Sequence, residues 1–162
     1  MLIAVLSDTH NNERNTLRAL ELVQARGAEL VLHCGDICDT DTAQLFHQLP
    51  THFVKGNNDF DVAGLQATIR AIRGTWHGAF ADLELAGRRI AMLHGDQWRQ
   101  LGRAIQSGSY DYLFFGHTHV FERNRTGRTI VLNPGALHRA SPKTCALVDL
   151  TSGRIDEVQV AN

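Results

Sequence analysis

Short apolar runs alternate with amphipathic stretches along the first third of the chain. Leu2–Leu6 is a continuous apolar run, which is typical of a strand buried on both faces. Positions 16–26 instead place apolar side chains on one helical face, and Gly27 supplies a C-terminal stop. The same alternation continues with a strand over 29–34, a helix over 41–49 and a strand over 52–55. This β-α-β-α-β order predicts parallel strands with right-handed crossovers.

The remainder of the chain is richer in strands. Segments 79–85 and 88–93 fit a hairpin around Ala86-Gly87. Segment 96–106 fits a helix, whereas 65–73 fits a helix and an irregular loop equally well. Further strands are predicted over 110–115, 120–124, 129–132, 144–150 and 154–160. The pattern predicts one α/β domain over 1–162, a two-sheet β-sandwich flanked by helices.

Metal-binding side chains follow these apolar runs at five places. The fragments are Asp8-Thr9-His10, Gly35-Asp36, Gly56-Asn57-Asn58-Asp59, His94-Gly95 and Gly116-His117-Thr118-His119. At an extended strand end, residues spaced i and i+2 point the same way, so Asp8 and His10 can reach one cation. Carboxylate oxygens and imidazole nitrogens gathered on strand ends are the ligands that a pair of divalent cations requires. Together the five fragments predict a metal centre.

In this order the fragments resemble the motifs D-x-H, G-D, G-N-x-D/E, H-G-x and G-H-x-H of the calcineurin-like metallophosphoesterase superfamily. The resemblance runs from Leu2 to about Gly135, and the short chain is similar to the small bacterial and archaeal phosphodiesterases of that superfamily. It implies a metal-bound hydroxide that attacks the phosphorus in line. It also implies two divalent cations, one held by Asp8, His10, Asp36 and His119 and the other by Asp36, Asn57, His94 and His117. Manganese is the expected metal, and iron, zinc, cobalt and nickel are compatible with the same ligands.

The chain departs from the family pattern at the group that protonates the leaving group. Many relatives carry a histidine at the third position of G-N-x-D/E, paired with the following carboxylate. Here that position is Asn58, followed by Asp59, and an amide cannot act as a general acid. His138 is the candidate substitute, because it follows the Asn133-Pro134-Gly135 segment that resembles a loop near the site in small relatives. Asp96 either orients a ligand histidine or caps the following helix, and the sequence leaves both open.

The expected function is therefore a dinuclear metal-dependent phosphoesterase, with a phosphodiesterase favoured. One alternative is a phosphomonoesterase that acts on nucleotides or phosphoproteins. A second is a non-enzymatic scaffold, as in the retromer subunit that resembles this fold, although all seven ligand positions are intact here. The expected partner is a small phosphoester substrate, and relatives are often homodimers.

Net charge and cysteine content indicate which classes of partner and which cellular compartment to expect. A formal net charge of -1 disfavours a surface for nucleic acid or anionic membranes. The apolar N-terminal run lacks the basic region of a signal peptide, and no run reaches the roughly 18 residues that span a bilayer. Cys34, Cys38 and Cys145 match no zinc or redox spacing, so reduced thiols in the cytoplasm are predicted.

Overall fold

The computed structural model describes residues 1–160, which contain eleven strands and four α-helices. The strands are β1 Leu2–Leu6, β2 Leu30–His33, β3 Thr51–Phe53, β4 Thr75–Trp76, β5 Phe80–Leu85, β6 Arg88–Leu93, β7 Tyr112–Phe114, β8 Phe121–Thr126, β9 Thr129–Pro134, β10 Thr144–Asp149 and β11 Ile155–Gln159. The helices are α1 Glu13–Ala25, α2 Thr40–Gln44, α3 Val62–Ala71 and α4 Trp98–Gln106, and a 3₁₀ turn over Leu45–Gln48 extends α2. No helix within these residues has the length and apolarity needed to cross a bilayer.

Two mixed sheets form the molecule, as the sequence predicts. The first has the order β11-β10-β1-β2-β3-β4, in which β1 to β4 run parallel, β10 is antiparallel to β1, and β11 is antiparallel to β10. The second has the order β5-β6-β7-β9-β8, in which β6, β7 and β9 run parallel. The predicted β-α-β-α-β order of the N-terminal third is confirmed.

The buried side chains of β1 show why this strand is apolar at every position. Ile3 and Val5 belong to the cluster that fills the space between the sheets, together with side chains of β6 and β7. Ala4 and Leu6 point the other way, into the cluster shared with α1, α2 and α3. A strand covered on both faces cannot alternate with polar residues without burying them.

The structure decides two alternatives that the sequence left open and adds one strand. The ambiguous segment is α3, whose first turn is capped by Asp61 through a hydrogen bond from the Gly64 N–H. Helix α4 begins at Trp98 and its N-cap is Gln97, so the exposed Asp96 does not cap it. Strand β4 was not predicted, because two residues are too short to carry a periodic signal.

The carboxyl ends of the parallel strands approach one another unusually closely. A Cβ added to Gly116 would collide with Ser7 Oγ, and one added to Gly56 would collide with the Asp36 side chain. Backbone hydrogen bonds join the same segments, from Asp8 N–H to Gly35 O at 3.0 Å and from Gly116 N–H to His94 O at 2.9 Å. The loops that follow β1, β2, β3, β6 and β7 are therefore held together at one edge of the sandwich.

Candidate metal centre

All seven predicted ligands lie in these converging loops. Asp8 and His10 follow β1, Asp36 follows β2, Asn57 follows β3, His94 follows β6, and His117 and His119 follow β7. The first four come from one sheet and the last three from the other.

One cluster consists of Asp8, His10 and His119. Their ligand atoms lie close enough together to hold a single metal ion. The Nε2 atoms of His10 and His119 are 3.2 Å apart, and Asp8 Oδ1 lies 3.3 Å from His119 Nε2. Two imidazole nitrogens and one carboxylate oxygen thus face a common point.

A second cluster consists of Asp8, Asp36 and His94. Asp36 Oδ2 is 3.3 Å from His94 Nε2, and Asn57 Oδ1 is 3.0 Å from the same nitrogen. The His117 ring packs edge-on against the His94 ring, with centroids 5.1 Å apart. Asp8 belongs to both clusters, so Asp36 is not the only carboxylate placed between them.

Polar atoms of Asp8, Asp36, Asn57 and His94 converge at the centre. His94 Nδ1 lies 2.8 Å from the Cys34 carbonyl oxygen, which can only accept, so Nδ1 carries the proton. In the neutral ring, the Nε2 lone pair then faces the oxygens of Asp36 and Asn57. Asp8 Oδ1 is buried and has no hydrogen-bond partner among residues 1–160. A cation would satisfy all of these atoms, so the residues present fit a divalent metal ion.

The electrostatics of the centre favour positive charge. Burial opposes ionisation of Asp8, but the imidazoles of His10 and His119 outweigh it and lower the pKa of this carboxyl. Burial likewise opposes ionisation of Asp36, whose pKa is nevertheless lowered to about 2, chiefly by His94 and by hydrogen bonds from Asn58. Burial would lower the pKa of His94, but Asp36 and Asp8 raise it to about 9. The two carboxylates are ionised at neutral pH and attract a cation.

Five of the seven predicted ligands have a positive φ, in the left-handed region. The sequence analysis did not predict this conformation for any of them. The φ angles are 54° for Asp8, 42° for His10, 58° for Asp36, 71° for His117 and 60° for His119. The expected extended geometry of the i, i+2 pairs is therefore wrong, and the side chains converge from tight turns. Such conformations cost of order 1–3 kcal/mol each and are concentrated at functional sites.

The family model of the calcineurin-like phosphoesterase superfamily domain matches residues 1–153. The chain belongs to this superfamily. A phosphodiesterase of Methanocaldococcus jannaschii is 30% identical over 138 residues, which are 83% of each chain. A solved archaeal phosphodiesterase superimposes with a TM-score of 0.92 at 27% identity and covers 98% of this chain and 99% of its own. A phosphoesterase of E. coli shares the fold, with a TM-score of 0.73 at 19% identity over 99% of this chain and 100% of its own.

In this member of the superfamily, Asp59 holds the backbone of the ligand loops together. It is fully buried, and its Oδ2 accepts hydrogen bonds from the amides of Asp36 at 3.1 Å and Gly56 at 2.7 Å. Its Oδ1 accepts a third, from the amide of Cys38 at 2.8 Å. Both oxygens thus accept backbone hydrogen bonds, and within residues 1–160 Asp59 makes no hydrogen bond to the Asn58 side chain.

The other residues predicted to support the ligands differ in what they contact. Asn133 donates from Nδ2 to Gly116 O at 2.7 Å and to Thr118 Oγ1 at 3.0 Å, which fixes the loop between the two histidines of G-H-x-H. Asp96 is exposed and makes no hydrogen bond to a predicted ligand in the described part of the chain. His138 lines the cleft over the centre, with its ring centroid 5.3 Å from that of His10.

The sequence analysis missed a buried connection between two ligand loops. His33 Nδ1 accepts a hydrogen bond from the Gly35 amide at 3.3 Å, so its Nε2 carries the proton and donates to Thr9 Oγ1 at 3.2 Å. Thr9 in turn donates to Asp36 O at 3.4 Å. Burial lowers the pKa of His33 to about 4. The one indication of this role in the sequence is that His33 is a histidine inside an otherwise apolar strand.

The three cysteines are free, and their positions differ. Cys34 lies in the core between the sheets, and Cys145 lies in the core beneath the helices. Cys38 lines the cleft, with Sγ 3.5 Å from His10 Nδ1. Burial, with nearby carboxylates, raises the pKa of the Cys38 thiol to about 12, so without a bound cation it is a neutral neighbour of His10.

Proposed function

We propose that this protein is a metal-dependent phosphodiesterase whose centre holds two divalent cations. The observation that carries the proposal is the pair of ligand clusters that meet at Asp8. Two cations in such a site stabilise developing negative charge on a phosphoryl group and acidify a water molecule. The relatives named above as phosphodiesterases support the choice of diester over monoester.

The assignment of ligands follows the two clusters and the family pattern. Asp8, His10, Asp36 and His119 hold one cation, and Asp36, Asn57, His94 and His117 hold the other. Asp36 would serve both cations, as the family pattern implies, since its Oδ2 lies 3.5 Å from His10 Nε2 and 3.3 Å from His94 Nε2. Asp8, which belongs to both clusters, is the second carboxylate between them. Manganese is the proposed metal, with iron, zinc, cobalt and nickel as alternatives for the same donor atoms.

Beyond metal binding, residues of the chain position the substrate and donate a proton to the leaving group. Asn58 donates both of its observed hydrogen bonds to Asp36, so it stabilises a carboxylate and offers no acidic proton. Among the described histidines that line the cleft, His138 is the one that is not assigned as a metal ligand. We assign His138 as the group that protonates a poor leaving group.

The alternatives rest on fewer observations. A phosphomonoesterase would use the same cations, and only a comparison of substrates separates the two activities. A non-enzymatic scaffold would not need seven intact ligand positions or the strained backbones that hold five of them. A cytoplasmic location is proposed because three free thiols are typical of a reducing compartment.

The proposal is tested by metal analysis combined with a panel of phosphodiesters and phosphomonoesters. We expect two equivalents of metal and faster hydrolysis of diesters. Asp36→Ala should release at least one equivalent and abolish hydrolysis, with an unchanged circular dichroism spectrum. Asp82→Ala is the matched control, because Asp82 is an exposed carboxylate paired with Arg89 on the surface. Full activity with both metals in Asp36→Ala would contradict the proposal.

A further inference from the structure

The cleft over the metal centre is much larger than a phosphoryl group needs. Its volume is about 560 Å³, within the range of roughly 300–1,000 Å³ of sites that bind whole small molecules. Most of its lining belongs to the residues already described. Phe60 and Arg139 also line it, and neither has been given a role.

Phe60 presents an aromatic ring to this cleft instead of burying it. Its side chain is 82% exposed, the highest value among the exposed large hydrophobic residues of the described chain. Isolated apolar residues on a surface need no explanation, but this one lies on the wall of a polar cleft. An aromatic ring there provides a flat face on which another ring can stack.

The backbone that carries Phe60 is fixed on both sides. The preceding Asp59 is anchored by amides of three residues, and the following Asp61 caps α3. The Phe60 amide itself donates to Asn58 O at 3.1 Å. The ring is therefore presented from a defined position, which lowers the entropic cost of stacking a ligand against it.

Arg139 supplies a fixed positive charge in the same cleft. Among the described residues that line it, Arg139 is the one lysine or arginine. Its exposed guanidinium makes no hydrogen bond or ion pair within residues 1–160, and its backbone is left-handed, with φ of 48°. A guanidinium fork suits the paired oxygens of a phosphate group.

We infer that the substrate is a phosphodiester with at least one aromatic ester arm, an aryl group or a nucleobase, which stacks on Phe60 while Arg139 binds phosphoryl oxygens. The inference rests on the proposed function and narrows its substrate class. An aliphatic diester would leave the Phe60 ring in water, so it would lose the stacking contribution to binding.

The test compares two probes that share a phosphonate group and differ in one aromatic ring. Purified metal-containing protein is titrated calorimetrically with phenylphosphonate and with methylphosphonate. Phe60→Ala should weaken phenylphosphonate binding by roughly 2- to 10-fold and leave methylphosphonate unchanged. Arg139→Gln should weaken both probes equally, by about tenfold, because both carry the anionic group.

Two further variants make the comparison specific. Phe60→Trp should retain the preference for phenylphosphonate, because it keeps a flat aromatic face. Trp98→Ala should change neither affinity, because Trp98 is an exposed aromatic residue, at 71%, that does not line this cleft. Equal affinities of Phe60→Ala and the parent for phenylphosphonate would overturn the inference. So would a change of oligomeric state in Phe60→Ala with both affinities unchanged, since Phe60 would then contact another protein.

The result also separates this inference from the proposed function. If no phosphoester is hydrolysed with any of the five metals, the proposed function is wrong, and with it the substrate class. If diesters are hydrolysed but the phenyl-to-methyl ratio of affinities is the same in Phe60→Ala, only the aromatic arm is wrong.

Discussion

Asn58 donates two hydrogen bonds of 2.7 Å to the same carboxylate, from its amide N–H to Asp36 Oδ1 and from its Nδ2 to Asp36 Oδ2. A residue that replaces the usual histidine of the family thus orients the carboxylate proposed to bridge the cations. Its side chain acts on the metal ligand and not on the leaving group.

Removal of the Asn58 side chain should therefore weaken metal binding. Asn58→Ala deletes one of the two hydrogen bonds, and loss of such a supporting contact typically costs about 10–100-fold in metal affinity. Competition with a fluorescent chelator measures the affinity. Asn124→Ala, which removes an exposed amide bonded to Glu122, is the control and should leave the affinity unchanged. An unaltered affinity in Asn58→Ala would show that the backbone hydrogen bond alone positions Asp36.

The two histidines of G-H-x-H should not be redundant. His119 lies with His10 and Asp8, whereas His117 packs against His94 of the second cluster. His117→Ala and His119→Ala should each lose most of the activity, and added metal should restore it only in part. Metal content and initial rates of the two variants provide the measurement. Unchanged kinetics in either variant would contradict the assignment of that histidine.

The leaving group should control the rate strongly. Positioned general acids contribute about 10²–10⁴-fold, mostly with poor leaving groups. If His138 supplies the proton, His138→Ala should slow alkyl esters by a factor in this range and leave aryl esters nearly unchanged. The comparison requires the two substrate types at saturating concentration. A uniform effect on both types would mean that His138 binds substrate and donates no proton.

Asn58→His also tests the protonation of the leaving group, by adding an imidazole where His138→Ala removes one. The new imidazole should raise the alkyl-ester rate more than the aryl-ester rate if it can act as an acid. Asp59 already accepts three backbone hydrogen bonds, so it is not arranged to orient that imidazole. We therefore expect a gain below the range given above, accompanied by weaker metal binding because the Asn58 contact to Asp36 is lost.

Folding stability should rise with pH across the range in which His33 titrates. The pKa of His33 is about 4 in the folded protein against about 6.5 for an ordinary histidine, so the unfolded chain binds more protons between these values. The contribution is complete above pH 6.5, is lost as the pH falls toward 4, and amounts to at most about 3 kcal/mol. Urea unfolding with a chelator present should show a shallower pH dependence in His33→Gln than in the parent. His47→Gln, at an exposed site, should show the parental dependence.

The sequence was most informative where metal-binding side chains follow directly on the ends of predicted strands. The five fragments could be placed at one edge because parallel strands deliver their carboxyl ends there, and the structure brings all seven predicted ligands to that edge. What could not be predicted is the backbone of those loops. Left-handed turns at residues such as His117 depend on contacts with distant segments, for example the hydrogen bond from its amide to Asp8 Oδ2.

Supporting residues were harder to predict for a related reason. Asp59 was expected to support the ligands, but its partners could not be predicted: they are the amides of Gly56, Asp36 and Cys38, two of them more than 20 positions away. His33 reads as a core residue because its role depends on Thr9, which lies 24 positions earlier. Periodicity describes one element at a time, so it cannot identify side chains that connect two loops.

The division of the ligands between the two sheets has a consequence for the integrity of the fold. Neither sheet alone presents a complete binding site, because Asp8 comes from the first and His119 from the second. Cations that bind only the assembled sandwich stabilise it by mass action, and the stabilisation grows with the logarithm of their free concentration once this exceeds Kd. If the proposed cations bind, they therefore act as a cross-link between the two sheets, and their removal by a chelator should lower the free energy of unfolding as well as the activity.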